Sequence, residues 1–103
     1  MEFHRLDLRI GLVKEVEPHP NADKLYVLRV DVGDDEVTLV AGLRNFYSPD
    51  QLRGRRIVVV RNLEQKKIRG VVSQGMLLAA DDGKNVGVLT PLFKVRPGTR
   101  VTT

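Results

Sequence analysis

The sequence predicts an all-β domain, a small five-stranded barrel with one short helix between its third and fourth strands. Two observations lead to this fold class. Apolar and polar residues alternate in several short runs separated by glycine and proline, which is the pattern of half-buried strands joined by turns. The segment between the third and fourth runs instead carries helix-start residues. The length of 103 residues predicts a single domain over residues 1–103.

The first three strands follow from this alternation. Residues 6–17 alternate and then change phase, which predicts a β-bulge near Gly11. Residues 25–32 and 37–41 alternate as well, and the Gly-Asp-Asp sequence at 33–35 separates them as a turn. We therefore expect the second and third strands to form a hairpin.

A helix is predicted after the third strand. Ser48 suits the N-cap, Pro49 the first helical position and Gln51 the third place of a capping box, while Gly54 suits the C-terminal stop. The Ile-Val-Val-Val sequence that follows, within residues 56–61, predicts a strand buried on both faces.

Three further apolar segments, at 75–80, 86–89 and 93–96, predict short strands, of which the last two form a C-terminal β extension. The predicted order along the chain is three strands, a helix, two strands and then an extension. This is the order of elements in the five-stranded OB-fold barrel. An SH3-like barrel and a small sandwich are the alternatives, and the position of the helix favours the OB-fold.

Positive charge is concentrated in the middle of the chain. The net charge is +4, and residues 44–69 hold eight basic but only two acidic side chains. Such asymmetry is typical of proteins that bind polyanions. A thermostable surface rich in arginine and glutamate is the alternative, and charge by itself does not decide between them.

The sequence gives no support for metal or enzyme chemistry. It contains no cysteine, which excludes disulfides and zinc–thiolate sites and fits a reducing compartment. His4 and His19 lie in different segments without carboxylates at metal-ligand spacing, and His19 is interpreted as a turn residue. Ser73 lies in G-x-x-S-x-G rather than the G-x-S-x-G of a nucleophile elbow. We therefore predict no cofactor, no metal and no catalytic activity.

Targeting signals are missing from the sequence as well. The charged N-terminus is unlike a signal peptide, and no apolar run approaches the ~20 residues needed to cross a bilayer. The sequence therefore predicts a cytoplasmic protein without a membrane partner.

Residues 61–76 have the composition of a nucleic-acid contact. A basic cluster lies on a predicted loop between two apolar strands, and Ser73, Gln74 and Met76 follow at the start of the next strand. Cations and polar groups placed together meet phosphates and exposed base edges. Of the adjacent Phe46 and Tyr47, at most one enters the core, which leaves the other to stack on a base or to pack locally.

With these segments the chain resembles the tRNA-binding domain family, found at the C-terminus of methionyl-tRNA synthetases, in free-standing dimeric tRNA-binding proteins and in an animal tRNA-binding cytokine precursor. The resemblance extends over residues 6–101. Its motifs are Asp7-Leu8-Arg9-Ile10-Gly11, the His19–Tyr26 segment, Val40-Ala41-Gly42-Leu43, the long signature from Asn62 to Ala80, and Pro97-Gly98-Thr99-Arg100-Val101.

The resemblance implies structure-directed, largely sequence-independent tRNA binding by an accessory module or subunit of an aminoacyl-tRNA synthetase, with a methionyl-tRNA synthetase catalytic subunit as partner. It also implies a homodimer joined through the extreme N-terminus and residues 84–103. We predict these tRNA-binding residues: Lys24, Arg44, Arg61, Asn62, Lys66, Lys67, Arg69, Ser73, Gln74 and Met76. For the last three, the alternative is a buried role that satisfies backbone groups of the loop.

The chain departs from the family at one place. Where the family usually has N-L-K-P-x-K, this sequence has Glu64 and Gln65, which removes one cation and loosens the loop. Lower affinity for tRNA is expected, unless Lys66 and Lys67 compensate.

Two other functions stay open at this point. One is a dimeric, secretion-associated chaperone of the same OB family that binds peptides, although that branch lacks a clear His-Pro-Asn-Ala-Asp-Lys-Leu segment such as residues 19–25. The other is a purely structural subunit of a synthetase complex.

Overall fold

The computed structural model describes residues 5–103. The elements are nine strands and one helix within that range: β1 (Leu8–Pro18), β2 (Tyr26–Asp31), β3 (Glu36–Ala41), α1 (Pro49–Leu52), β4 (Arg56–Val60), β5 (Lys66–Ile68), β6 (Val71–Ser73), β7 (Met76–Leu77), β8 (Ala79–Asp81) and β9 (Val86–Val88).

Five of the strands form one antiparallel sheet in the order β3-β2-β1-β4-β7. The sheet curves into a nearly closed barrel, and the helix lies between the third and fourth strands in sequence. The remaining strands form two hairpins, β5–β6 and β8–β9, the second of which belongs to the C-terminal extension. The predicted all-β OB-fold barrel is confirmed.

Alternation explains the core. Along β2, Tyr26, Leu28 and Val30 are buried while the intervening residues are more exposed, and their partners from β3 and β4 meet them inside the barrel. Leu28, Leu39 and Ile57 are fully inaccessible to solvent. The strand period of two therefore places one apolar row of each strand in a single core.

The bulge in β1 is displaced from its predicted position. The register of β1 against β2 shifts between Val13 and Glu15, whereas Gly11 pairs regularly with Ile57. A methyl group at Gly11 would overlap the side chain of Val30. Gly11 therefore serves close packing across the barrel interior, and the predicted bulge of this strand lies between Val13 and Glu15 instead.

The helix begins and ends as predicted. The Ser48 backbone N–H donates to the Gln51 side-chain oxygen at 2.8 Å, which is one arm of the capping box. Leu52 is buried in the core, and Gly54 adopts a φ of 82° that favours glycine. The helix thus contributes Leu52 to the core of the barrel.

The C-terminal region differs from its prediction in one segment. Residues 86–88 form β9, but 93–96 form no strand in the described chain, so that prediction was wrong. The start of β1 instead bonds to the tail that follows: Ile10 donates to the Thr99 carbonyl at 2.9 Å, and Val101 donates to the Leu8 carbonyl at 2.8 Å. Residues 98–101, and not the apolar 93–96 run, therefore pair with the start of β1.

No helix in the described residues is both long enough and apolar enough to cross a membrane.

Candidate nucleic-acid interface

The predicted basic loop is a short hairpin. β5 and β6 pair Lys66 with Ser73 and Lys67 with Val72. The turn between them is Arg69-Gly70, and both residues have positive φ, 53° and 96°. Two such residues are typical of the two-residue turns that match strand twist. The hairpin therefore holds its lysines on extended backbone rather than on an open loop.

A buried histidine anchors the tip of this hairpin. The Asn21 backbone N–H donates to His19 Nδ1 at 2.9 Å, so the ring proton lies on Nε2, which donates to the Ile68 carbonyl at 2.9 Å. Around the same point, the Asn21 side chain donates to the Arg69 carbonyl and the Arg69 guanidinium donates to the Asn21 carbonyl. His19 is 4% exposed. His19 therefore precedes a turn, as predicted, and also joins that turn to β5 through its buried ring. No local sequence pattern predicts this contact with Ile68.

Five of the predicted cations lie on the His19 turn, on the hairpin that it anchors, or on the segment beside the turn. The Arg44 side chain donates to the Ala22 carbonyl and the Arg44 N–H donates to the Lys24 carbonyl, both at 3.4 Å, and the hairpin carries Lys66, Lys67 and Arg69. None of the five has a carboxylate within ion-pair distance in the described part of the chain. We call this set the basic surface: Lys24, Arg44, Lys66, Lys67 and Arg69.

Arg61 and Asn62 lie apart from the basic surface, beside the start of β1. Arg61 makes an ion pair with Asp34 at 2.9 Å. The Asn62 side chain accepts from the Asp7 N–H at 2.8 Å and donates to the Arg5 carbonyl at 2.6 Å. Their contact with RNA stays a prediction, although both side chains already hold groups of the protein.

Ser73 and Gln74 lie where β3 faces the strand that would complete the barrel. Ser73 Oγ accepts from the Val40 N–H at 3.0 Å and donates to the Gly75 carbonyl at 2.9 Å. The Thr38 N–H donates to the Gln74 side-chain oxygen at 2.7 Å, and the Gln74 N–H donates to the Thr38 carbonyl at 2.8 Å. These side chains supply bonds that a regular strand pair would make through its backbone.

We expect Ser73→Ala to lower the free energy of unfolding by about 1–3 kcal/mol, because it leaves the part-buried Val40 N–H without its partner. Urea denaturation checks this value, with Thr102→Ala at an exposed hydroxyl expected to stay within about 0.5 kcal/mol of the parent. Unchanged stability together with weakened RNA binding would place Ser73 at the RNA instead.

Phe46 and Tyr47 point to different environments. The Tyr47 hydroxyl donates to the Val86 carbonyl at 2.6 Å and accepts from the Val88 N–H at 3.2 Å, and its ring packs against the core. Phe46 is about half exposed, as is Met76, and both side chains line one surface cavity. Among the described residues, no three His, Asp or Glu side chains come close enough to hold a metal ion.

Comparisons with known proteins agree with this geometry. Residues 8–100 match the family described as "Putative tRNA binding domain". The methionine–tRNA ligase of Pyrococcus abyssi is 58% identical over 100 residues, which cover 97% of this chain and 14% of that protein. The chain therefore spans about one-seventh of the length of such relatives.

Solved structures show the same fold. The methionyl-tRNA synthetase-related protein of Pyrococcus horikoshii superposes with a TM-score of 0.91 at 37% identity, covering 97% of this chain and 93% of that one. The CsaA chaperone protein of Picrophilus torridus gives a TM-score of 0.90 at 32% identity, with coverages of 97% and 94%. With its residues 8–100 matched and its barrel superposed, the chain belongs to the tRNA-binding domain family.

Proposed function

We propose that the chain binds tRNA through the basic surface, largely without regard to sequence, as an accessory module with no catalysis of its own. The observation that carries the proposal is the set of five cations, without carboxylate partners in the described chain, on and beside the two segments that His19 joins. Cations held in this way meet phosphates, which position an RNA without reading its sequence. A rigid array of them selects the spacing of phosphates in a folded RNA.

The benefit to a synthetase is added affinity. A second, weak contact tethers the tRNA and raises its local concentration at a catalytic subunit. We propose the methionyl enzyme as that partner, because methionine–tRNA ligases contain a segment similar to this sequence. The proposed site of action is the cytoplasm.

A salt titration tests tRNA binding. If all five cations of the basic surface neutralise one phosphate each, the logarithm of the binding constant is expected to fall with the logarithm of salt concentration with a slope of about −3.5 to −4.5. Gel shifts at several salt concentrations, with duplex DNA as competitor, measure it. A slope near zero, or a preference for the duplex DNA, would contradict the proposal.

Peptide binding is the second candidate function, favoured by the similarity to the CsaA chaperone protein. Assays with an unfolded protein substrate, run beside tRNA at the same salt concentration, separate the two. Binding of the unfolded substrate but not of tRNA would support the chaperone instead. Co-purification with a synthetase without affinity for free tRNA would support a purely structural subunit.

We further propose a homodimer formed through the C-terminal extension. Leu92 and Phe93 are 92% and 79% exposed, and burying such side chains contributes roughly 1.5–3 kcal/mol each. The extreme N-terminus is also expected to join the interface, and its residues 1–4 lie outside the described part of the chain.

Sedimentation equilibrium is expected to show a dimer that Phe93→Glu dissociates, while Phe46→Glu at another exposed ring leaves it intact. A monomeric parent chain would overturn this proposal.

A further inference from the structure

A small cavity lies between the β5–β6 hairpin and the barrel. Its volume is about 210 Å³, and its walls are mainly apolar, from Val40, Leu63, Ile68 and Met76. Two charged residues, Glu64 and Lys66, also line it. Ser73 also lines the cavity, and its hydroxyl accepts a hydrogen bond from the Val40 N–H and donates one to the Gly75 carbonyl.

We infer that this cavity receives one unpaired guanine base of a bound RNA, with its phosphate on Lys66. The inference rests on the proposed tRNA binding and specifies one contact within it. It adds a local base preference to an interface that otherwise contacts phosphates.

The size of the cavity fits a single planar ring system. Sites for drug-sized ligands occupy roughly 300–1,000 Å³, so about 210 Å³ is too small for two stacked bases or an extended peptide segment. The walls suit the faces of a base. Met76 and Leu63 are 51% and 39% exposed at this surface, which leaves apolar area open to solvent. Unstacked bases insert between apolar side chains, and a methionine adapts to flat rings through its flexible, polarisable thioether.

Two charges in the cavity remain available to a ligand. Glu64 and Lys66 line the same space, yet neither forms an ion pair with the other or with any described residue. Strand alternation places Lys66 and Ile68 on the cavity side of β5 and Lys67 on the opposite side. An ammonium beside an apolar slot complements a base attached to its own phosphate better than it complements a neutral apolar side chain.

Glu64 selects among the bases. A carboxylate only accepts hydrogen bonds, and guanine presents two adjacent donors, N1–H and the N2 amino group, on its Watson–Crick edge. Uracil presents one donor there, flanked by carbonyl oxygens that the carboxylate repels. Glu64 therefore accepts hydrogen bonds from the edge of a base, whereas a cation at this position would contact a phosphate.

The test uses NMR of the whole chain, labelled with ¹⁵N, titrated with guanosine or uridine monophosphate. The guanine nucleotide is expected to shift the amides of residues 63–66 and 75–76 and to bind about fivefold tighter than the uridine nucleotide, the low end of bidentate base discrimination. Glu64→Gln is expected to remove most of this preference. The matched Glu17→Gln, at an exposed glutamate outside the cavity, is expected to keep it.

A second variant, Leu63→Ala with Met76→Ala, removes two walls and is expected to weaken both nucleotides severalfold while leaving the amides of β1 and β2 unchanged. If tRNA binds with the expected salt slope but neither nucleotide shifts the cavity amides, or both bind equally, the inference falls and the proposed function stands. If an apolar peptide shifts those amides and the guanine nucleotide does not, the cavity is a peptide site. Failure of the parent chain to bind tRNA overturns both.

Discussion

Replacing Lys66, Lys67 and Arg69 together by glutamate is expected to abolish retention of tRNA in a gel shift. The three residues lie on one hairpin and form more than half of the basic surface, so the change turns phosphate attraction into repulsion at close range. The fold is expected to survive, since all three side chains are exposed, none makes an ion pair in the described chain, and the hydrogen bond that Arg69 donates to the Asn21 carbonyl is itself exposed to solvent.

The matched control reverses Lys14, Arg53 and Arg55, which are also exposed, lie outside the proposed dimer interface and carry the same total charge. It changes the net charge of the chain equally, so any loss of binding in it measures only the long-range field. We expect tRNA retention to weaken modestly in this control. Equal loss in both variants would show that the net charge, and not the basic surface, governs binding. Unchanged binding by the hairpin variant would refute the site itself.

The largest effect on stability is expected from Leu28→Ala. Leu28 is 0% exposed at the centre of β2, between β1 and β3, so truncation removes buried apolar surface and leaves a void. A loss of about 2–5 kcal/mol is expected, which lowers Tm by roughly 10–30 °C for a domain of this size. Thermal unfolding followed by circular dichroism measures it.

Leu63→Ala is the control for that measurement, because it removes the same atoms from a side chain that is 39% exposed. Its cost is expected to be about 1 kcal/mol or less. A loss as large as that of Leu28→Ala would mean that Leu63 belongs to the core, which would also remove it from the surface available to a nucleobase.

The candidate site was predictable in composition but not in arrangement. The hairpin lysines and Arg69 stand out in the sequence as a basic run between apolar strands, and the structure bonds Arg69 and Arg44 to neighbouring carbonyls of the turn that carries Lys24. Arg61 belongs to the same run, yet it pairs with Asp34 from the β2–β3 turn. Sequence proximity does not show which cation finds a carboxylate, because that partner comes from a distant segment.

The secondary structure of this protein was largely set by local sequence. Alternation fixed β1, β2 and β3, and the Ser48–Gln51 box fixed α1, because strand and helix periods depend only on neighbouring residues. Tertiary structure decided the rest. Gly11 leaves room for the side chain of Val30, and His19 donates to a carbonyl in β5. The side chains of Ser73 and Gln74 accept hydrogen bonds from backbone N–H groups of β3. Each of these partners is far away in sequence and comes near only once the barrel closes, so no local pattern predicts the contact.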